Sequence, residues 1–394
     1  MVSLKVIFAA LVGVFLAIFI SIGVTPHSAI APTQKIPEKL STTTEQTVKP
    51  QATSTPKKTA VVPAPAKTPA TTTTSPKPKT DTQIKIQDTV ETITKTLEEL
   101  RQQELLNSVP PDFKTLNETV RKTIVNIICT TEAAGPLNAI SASGVIVDPK
   151  GIIMTNAHVG QYFLLKNYLM PNFVTCIIRT GSPAMPQYTA ELLFLPPSWI
   201  NANASKLIEE NPTGNGEHDY ALIRITGTVN PNIVLPTSFP YLPISLDSPV
   251  GYQQVLLAGY PAGFLGGITI LKDLYAGSSV AKIGELYTFQ GSTLDLFSVG
   301  GSIVAQQGSS GGAVATLSST LLGVIVTSSE APDTASRDLR ALSTQYIAED
   351  FAHESGKALS DFLSGDIIAE GQAFLTGTAP TLTQTLVNVL QNNN

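Results

Sequence analysis

The sequence is poor in the residues that build metal and redox centres. Among 394 residues there are only two cysteines, Cys129 and Cys176, and four histidines. The cysteines are too far apart for a zinc-site spacing, and the histidines do not cluster near them. No metal and no cofactor is therefore implied. The residues alone leave open whether the cysteines pair in an oxidising compartment or stay as two buried thiols. A basic run interleaved with aromatics is also missing, and the net charge is -5. Nucleic acid is therefore not an expected partner.

What is present is sharply segregated along the chain. Val6 to Val24 is an uncharged apolar run of about nineteen residues, near the roughly 20 that a membrane-crossing helix needs. Lys5 precedes it and the next lysine is Lys35. The positive-inside rule then puts the N-terminus in the cytoplasm and everything after Val24 outside. Residues 1–24 read as a single-pass signal anchor in the cell membrane. A cleaved signal peptide is the alternative, with Ala29-Ile30-Ala31 as its cleavage site. The apolar run exceeds the roughly 7–15 residues of a signal core, and Pro32 follows the site. Residues 25–81 are rich in Thr, Pro, Ala and Lys and have no aromatics. They predict a disordered, semi-extended spacer.

Residues 82–108 predict an amphipathic helix. Asp88 to Glu91 resembles a capping box, and Ile86, Val90, Ile93, Leu97 and Leu100 recur at steps of four and three. Such a stripe either packs on the following domain or makes a homo-oligomer through the helix 86–105. Asn107 to Pro111 ends it.

From about residue 109 short β-branched runs alternate with Gly, Pro and Asn turns. Examples are Val125 to Ile128, Gly144 to Val147, Gly151 to Met154, Cys176 to Ile178, Ala221 to Ile225, Val255 to Leu257 and Leu322 to Val326. This texture predicts an all-β core, barrels or a sandwich, over residues 109–355. Residues 356–394 carry paired apolar positions such as Phe362-Leu363 and Phe374-Leu375. They predict a helical C-terminal tail, packed on the second barrel or, alternatively, binding a partner.

Three segments carry chemistry. Ser143 to Val159 reads as strand, Pro-Lys-Gly turn and strand, delivering His158 at a strand end. Asp219 stands just before the alternating run Ala221 to Ile225, a position expected to be partly buried. Gly308-Ser309-Ser310-Gly311-Gly312 is a glycine-rich turn presenting a serine. A serine hydroxyl is a weak nucleophile until a base takes its proton, which imidazole can do near neutral pH. A buried carboxylate holds that imidazole in one tautomer. Backbone N–H groups must face the oxyanion that forms, and glycines beside the serine allow the required turn.

These motifs resemble the trypsin-like (chymotrypsin-fold) serine peptidases, closest to the bacterial HtrA group. The resemblance covers about residues 114–350. It rests on Thr155-Asn156-Ala157-His158-Val159, Asp219-Tyr220-Ala221-Leu222-Ile223, Gly308 to Gly312, Tyr241-Leu242-Pro243 and Gly259-Tyr260-Pro261-Ala262-Gly263, in that family's His, Asp, Ser order.

It implies two six-stranded antiparallel β-barrels. Ser310 becomes the nucleophile, His158 the general base and acid, Asp219 its orienter. The N–H groups of Gly308 and Ser310 become the oxyanion hole. Val326, Thr327 and Ser328 would pair with substrate backbone, and Val304 and Ala305 would begin the first specificity pocket, taking a small or apolar side chain. Cys129 and Cys176 would lie on strands that can be neighbours, which with the extracytoplasmic address implies a disulfide. The partners implied are protein or peptide substrates.

The sequence also departs from the family. Ser309 stands where many relatives have Asp or Asn, so activation by ion-pairing a new N-terminus is not expected. Leu192 to Gly216 holds extra length, rich in Pro and Asn, expected as a loop at the active site. About 44 residues follow position 350, too few for a PDZ domain. His218 precedes the acid and receives no role.

Two rival readings remain. Gly308 to Gly312 also fits the G-x-S-x-G elbow of α/β-hydrolases, with Asp338 and His353 completing a triad. The alternating strands and helices that fold needs before the serine are missing. A catalytically inactive protease-fold binding scaffold is the non-enzymatic alternative.

Overall fold

The computed structural model describes residues 111–132, 137–209, 212–263, 265–289, 293–328 and 337–392. The apolar anchor, the linker and the helix expected at 82–108 lie outside the described residues. Among the described residues no helix is long and apolar enough to cross a membrane.

Helix α1 (Pro111–Val120) opens the described chain and buries Phe113, Leu116 and Val120, one apolar stripe at helical spacing. Six antiparallel strands follow: β1 (Ile124–Thr131), β2 (Ile140–Asp148), β3 (Ile152–Thr155), β4 (Val174–Thr180), β5 (Met185–Phe194) and β6 (Ala221–Thr228). They close into a barrel in the order β1-β2-β3-β6-β5-β4. Ile127, Val145, Ile153 and Ile223 are among its buried side chains. Cys129 on β1 pairs in register with Cys176 on β4, and the two form a disulfide.

Two connections of this barrel matter for function. Helix α2 (Ala157–Leu164) begins two residues after β3. Between β5 and β6 the chain forms α3 (Pro197–Asn203) and a 3₁₀ turn (Ala204–Ile208). The extra length at 192–216 is thus partly strand and partly helix, where an irregular loop was expected. Pro196 and Pro197 suggest a loop, yet proline is well tolerated at a helix start.

The second half contains β7 (Gln254–Gly259), α4 (Gly267–Lys272), β8 (Gly277–Lys282), β9 (Leu286–Tyr287), β10 (Leu296–Gly300), β11 (Ala313–Ala315), β12 (Leu321–Ser328) and β13 (Leu339–Ser343). They make a seven-stranded sheet in the order β8-β7-β11-β12-β13-β10-β9. This corrects the expected second closed barrel of six strands. Closure would need a ladder between the β8 end and β10. The structure has two backbone bonds there: Gly284 N–H to the Ser298 carbonyl (2.8 Å) and Ser298 N–H to that of Glu285 (2.9 Å). A register shift between Ser298 and Gly300 interrupts β10 at that point.

Four helices finish the chain: α5 (Thr344–Ser355), α6 (Leu359–Ser364), α7 (Ile367–Gly377) and α8 (Ala379–Gln391). Contrary to the expected packing on the second sheet, α7 and α8 pack on the side of the first barrel, and α6 lies between α5 and α7. Helix α7 lies on β5, with Gly371 close against Leu193. Helix α8 covers α3 and its 3₁₀ turn. The reason is aromatic: Phe194 at the end of β5 receives Phe351 of α5 and Phe374 of α7, at centroid distances of 4.6 and 5.4 Å.

Candidate active site

His158 occupies the first turn of α2, just after β3 ends. Asp219 sits in the loop before β6, 6% exposed. Its carboxylate takes two bonds from His158: the backbone N–H reaches Oδ1 at 3.0 Å and ring Nδ1 reaches Oδ2 at 2.8 Å. Asn156, the residue before α2, donates its side-chain amide to the Asp219 carbonyl (2.9 Å). The acid is thus fixed from its main chain and its side chain. Burial pulls the His158 pKa down, but the Asp219 charge and hydrogen bond outweigh it and the net shift is upward. The imidazole is a third exposed.

Ser310 lies in the turn between β10 and β11 and lines the same cleft of about 620 Å³ as His158 and Asp219. Two glycines give the turn its shape. Gly308 has φ +92°, and a Cβ there would come 2.7 Å from the Tyr260 carbonyl. Gly311 has φ +84°, and a Cβ there would overlap the Ser143 carbonyl oxygen. Among the described residues the Gly308 and Ser310 N–H groups meet no backbone acceptor, whereas those of Ser309, Gly311 and Gly312 do. Two donors flanking the serine hydroxyl are therefore uncommitted, as anion stabilisation in acyl transfer requires.

A family model described as the trypsin-like peptidase domain matches residues 142–324. This stretch is similar to a trypsin-like peptidase domain. No curated protein matches the chain. Among solved structures, the Rv3671c protease from M. tuberculosis in its active form is 18% identical, with TM-score 0.37. The match covers 61% of this chain and 83% of that one. The MamO protease domain from Magnetospirillum magneticum is 16% identical, with TM-score 0.36, covering 59% and 97%.

Next to the serine turn, β11 pairs β12 only as far as Val324, and the turn covers Ile325 through two backbone bonds. From Val326 onward the cleft side of β12 bears no further strand among the described residues, while β13 occupies the other side. Val326 lines the cleft, and Thr327 and Ser328 continue the strand. Val304 and Ala305, expected to begin the specificity pocket, are instead fully buried in the core of the second sheet and do not line the cleft. Both are small and apolar, which suits a core as well as a pocket. Trp199 of α3 forms part of a cleft wall built by the extra segment before Asp219.

The hydrolase alternative fails on placement. His353 is 84% exposed on α5, Asp338 bonds to Ser298 and Arg340, and neither lines the cleft. Sequence reasoning missed Ser143. Its hydroxyl donates to the Gly308 carbonyl (2.7 Å) and accepts from the Tyr260 N–H (2.8 Å). No spacing or composition signal marks that serine, since its role depends on the meeting of two distant segments.

Proposed function

We propose that this protein is a membrane-tethered serine endopeptidase of the HtrA type that cleaves extracytoplasmic proteins through Ser310, His158 and Asp219. The observation that carries this reading is the His158–Asp219 pair at 2.8 Å in one cleft with Ser310. His158 takes the Ser310 proton as the hydroxyl attacks the scissile carbonyl. Asp219 holds the Nδ1–H tautomer and stabilises the imidazolium that forms. The Gly308 and Ser310 N–H groups receive the oxyanion. His158 then protonates the leaving amine, and water releases the acyl group by the same route in reverse.

Substrate enters as an extended strand beside Val326, Thr327 and Ser328, the stretch of β12 with an open cleft side. The apolar run at 1–24 supplies the tether and the spacer at 25–81 the reach. The test is cleavage of unfolded casein by the full chain in mild detergent. Ser310→Ala and His158→Ala should each abolish it, and His353→Ala should leave it intact. A folded wild-type protein that binds casein without cutting it would support the inactive-scaffold reading instead.

A further inference from the structure

Asp219 is carried by a tight turn. Its N–H bonds the Gly216 carbonyl (3.1 Å) and the Tyr220 N–H bonds that of His218 (2.9 Å). Gly216 has φ +92°, and His218 has φ +58°, a conformation that a residue with a side chain adopts only against steric cost. Something must hold His218 there. Its ring Nδ1 lies 2.9 Å from both carboxylate oxygens of Asp350, and its backbone N–H donates to the Tyr346 hydroxyl (3.2 Å). Both partners belong to α5, one helical turn apart.

One turn further on, Glu354 accepts from the Ser198 N–H (3.2 Å) and hydroxyl (2.5 Å) in the first turn of α3. That helix supplies Trp199 to the cleft wall. Three successive turns of α5 therefore grip the acid turn and the cleft wall together. The charged groups facing His218 are Asp350 and Glu354 from α5 and Glu217 beside it in the loop. The buried phenol of Tyr220 and the half-buried one of Tyr346 also face the Asp350 carboxylate. The Asp350 side chain is 8% exposed, so its bond to the imidazole is shielded from water and correspondingly firm.

We infer that His218 and Asp350 are positioning residues, which set the orientation of Asp219 and through it the His158 tautomer. The inference deepens the peptidase reading and rests on it. If the turn relaxes, Oδ1 and Oδ2 of Asp219 leave the His158 N–H and Nδ1 together, because one carboxylate serves both. The imidazole then loses its orienter while the nucleophile turn, held elsewhere, stays intact.

The test uses the full chain with His218→Asn, Asp350→Asn and the double variant. Asparagine tolerates a left-handed backbone but cannot form the ion pair, and Asp350→Asn is nearly isosteric, so one variant stays informative if the other misfolds. Each single variant should lower kcat by about tenfold, as expected for a misaligned base, with KM little changed. The double variant should be no worse than the poorer single one. The acid limb of the kcat/KM profile and the His158 titration followed by NMR should both move to lower pH. Folded variants with wild-type kcat and an unmoved His158 titration would overturn the inference, as would additive losses. The NMR titration reads the positioning without turnover. A wild type that cuts nothing would count against the peptidase reading, and an unmoved titration against the positioning.

Discussion

Ser143 on the first barrel donates its backbone N–H to the carbonyl of Ser310 at 2.8 Å. Its hydroxyl bridges the Gly308 carbonyl and the Tyr260 N–H, and its own carbonyl accepts from the Thr155 hydroxyl (2.8 Å). One side chain and one peptide unit thus tie the serine turn to the barrel that carries His158. Ser143→Ala keeps the backbone bond but strands a buried N–H and a buried carbonyl. The expected cost is about 1–3 kcal/mol of stability and a roughly ten- to hundredfold loss of kcat, less than deleting an oxyanion donor outright. Denaturant melts and peptide kinetics on the variant check both; an unchanged kcat would show that the turn needs no staple.

Gly311 tests the same contact from the other side. A methyl group there meets the Ser143 carbonyl and the Thr155 hydroxyl at a backbone angle that already favours glycine. Gly311→Ala should abolish peptidase activity and lower the melting temperature. By contrast, Gly266→Ala faces open space and should leave both near wild type. Similar behaviour of the two variants would contradict the packing described.

The pH dependence follows from His158. Asp219 raises its pKa above 6.5 against the pull of burial. A base at this position, as proposed, works only when neutral, so kcat/KM should fall as pH drops through a value above 6.5. Asp219→Asn should move that limb down and cut kcat by about three to four orders of magnitude. The folded pKa is raised for His158, and for His218 beside Asp350. The stability these pairs contribute is therefore complete below the unfolded value of 6.5 and lost as pH rises through the folded values. Activity and stability should accordingly trend in opposite directions across that window, which parallel rate and melting profiles would reveal.

The disulfide joins β1 to β4 across 47 residues of sequence. Chain entropy gives such a link about 4 kcal/mol, equivalent to roughly 10 °C in Tm for a domain of this size. Replacing Cys129 and Cys176 together by alanine should produce a loss of that order while leaving kcat nearly unchanged, because neither residue lines the cleft. A loss of activity without a loss of Tm would contradict this assignment.

The local placement of the candidate residues was legible in the sequence and long-range docking was not. His158, Asp219 and the serine turn sit in short motifs whose glycines and flanking strands announce themselves. The β-branched runs located β1, β2, β3, β4, β6, β7 and β12 for the same reason. The second sheet stays open where only two backbone bonds at Ser298 and a two-residue strand stand in for a closing ladder, features with no periodic signature. The apolar pairs after residue 356 indicated helices but not their landing place, which the Phe194 cluster decides. Val304 and Ala305 were misplaced because small apolar residues satisfy a core and a pocket equally. His218 was passed over because its partner, Asp350, lies 132 residues away.

The most direct test is covalent. The full chain, treated with a fluorophosphonate probe, would be digested and the modified residue identified by mass spectrometry. The expected result is stoichiometric labelling at Ser310, abolished in His158→Ala and retained in His353→Ala. Labelling at any other serine, or none on folded wild-type protein, would contradict a Ser310–His158–Asp219 peptidase.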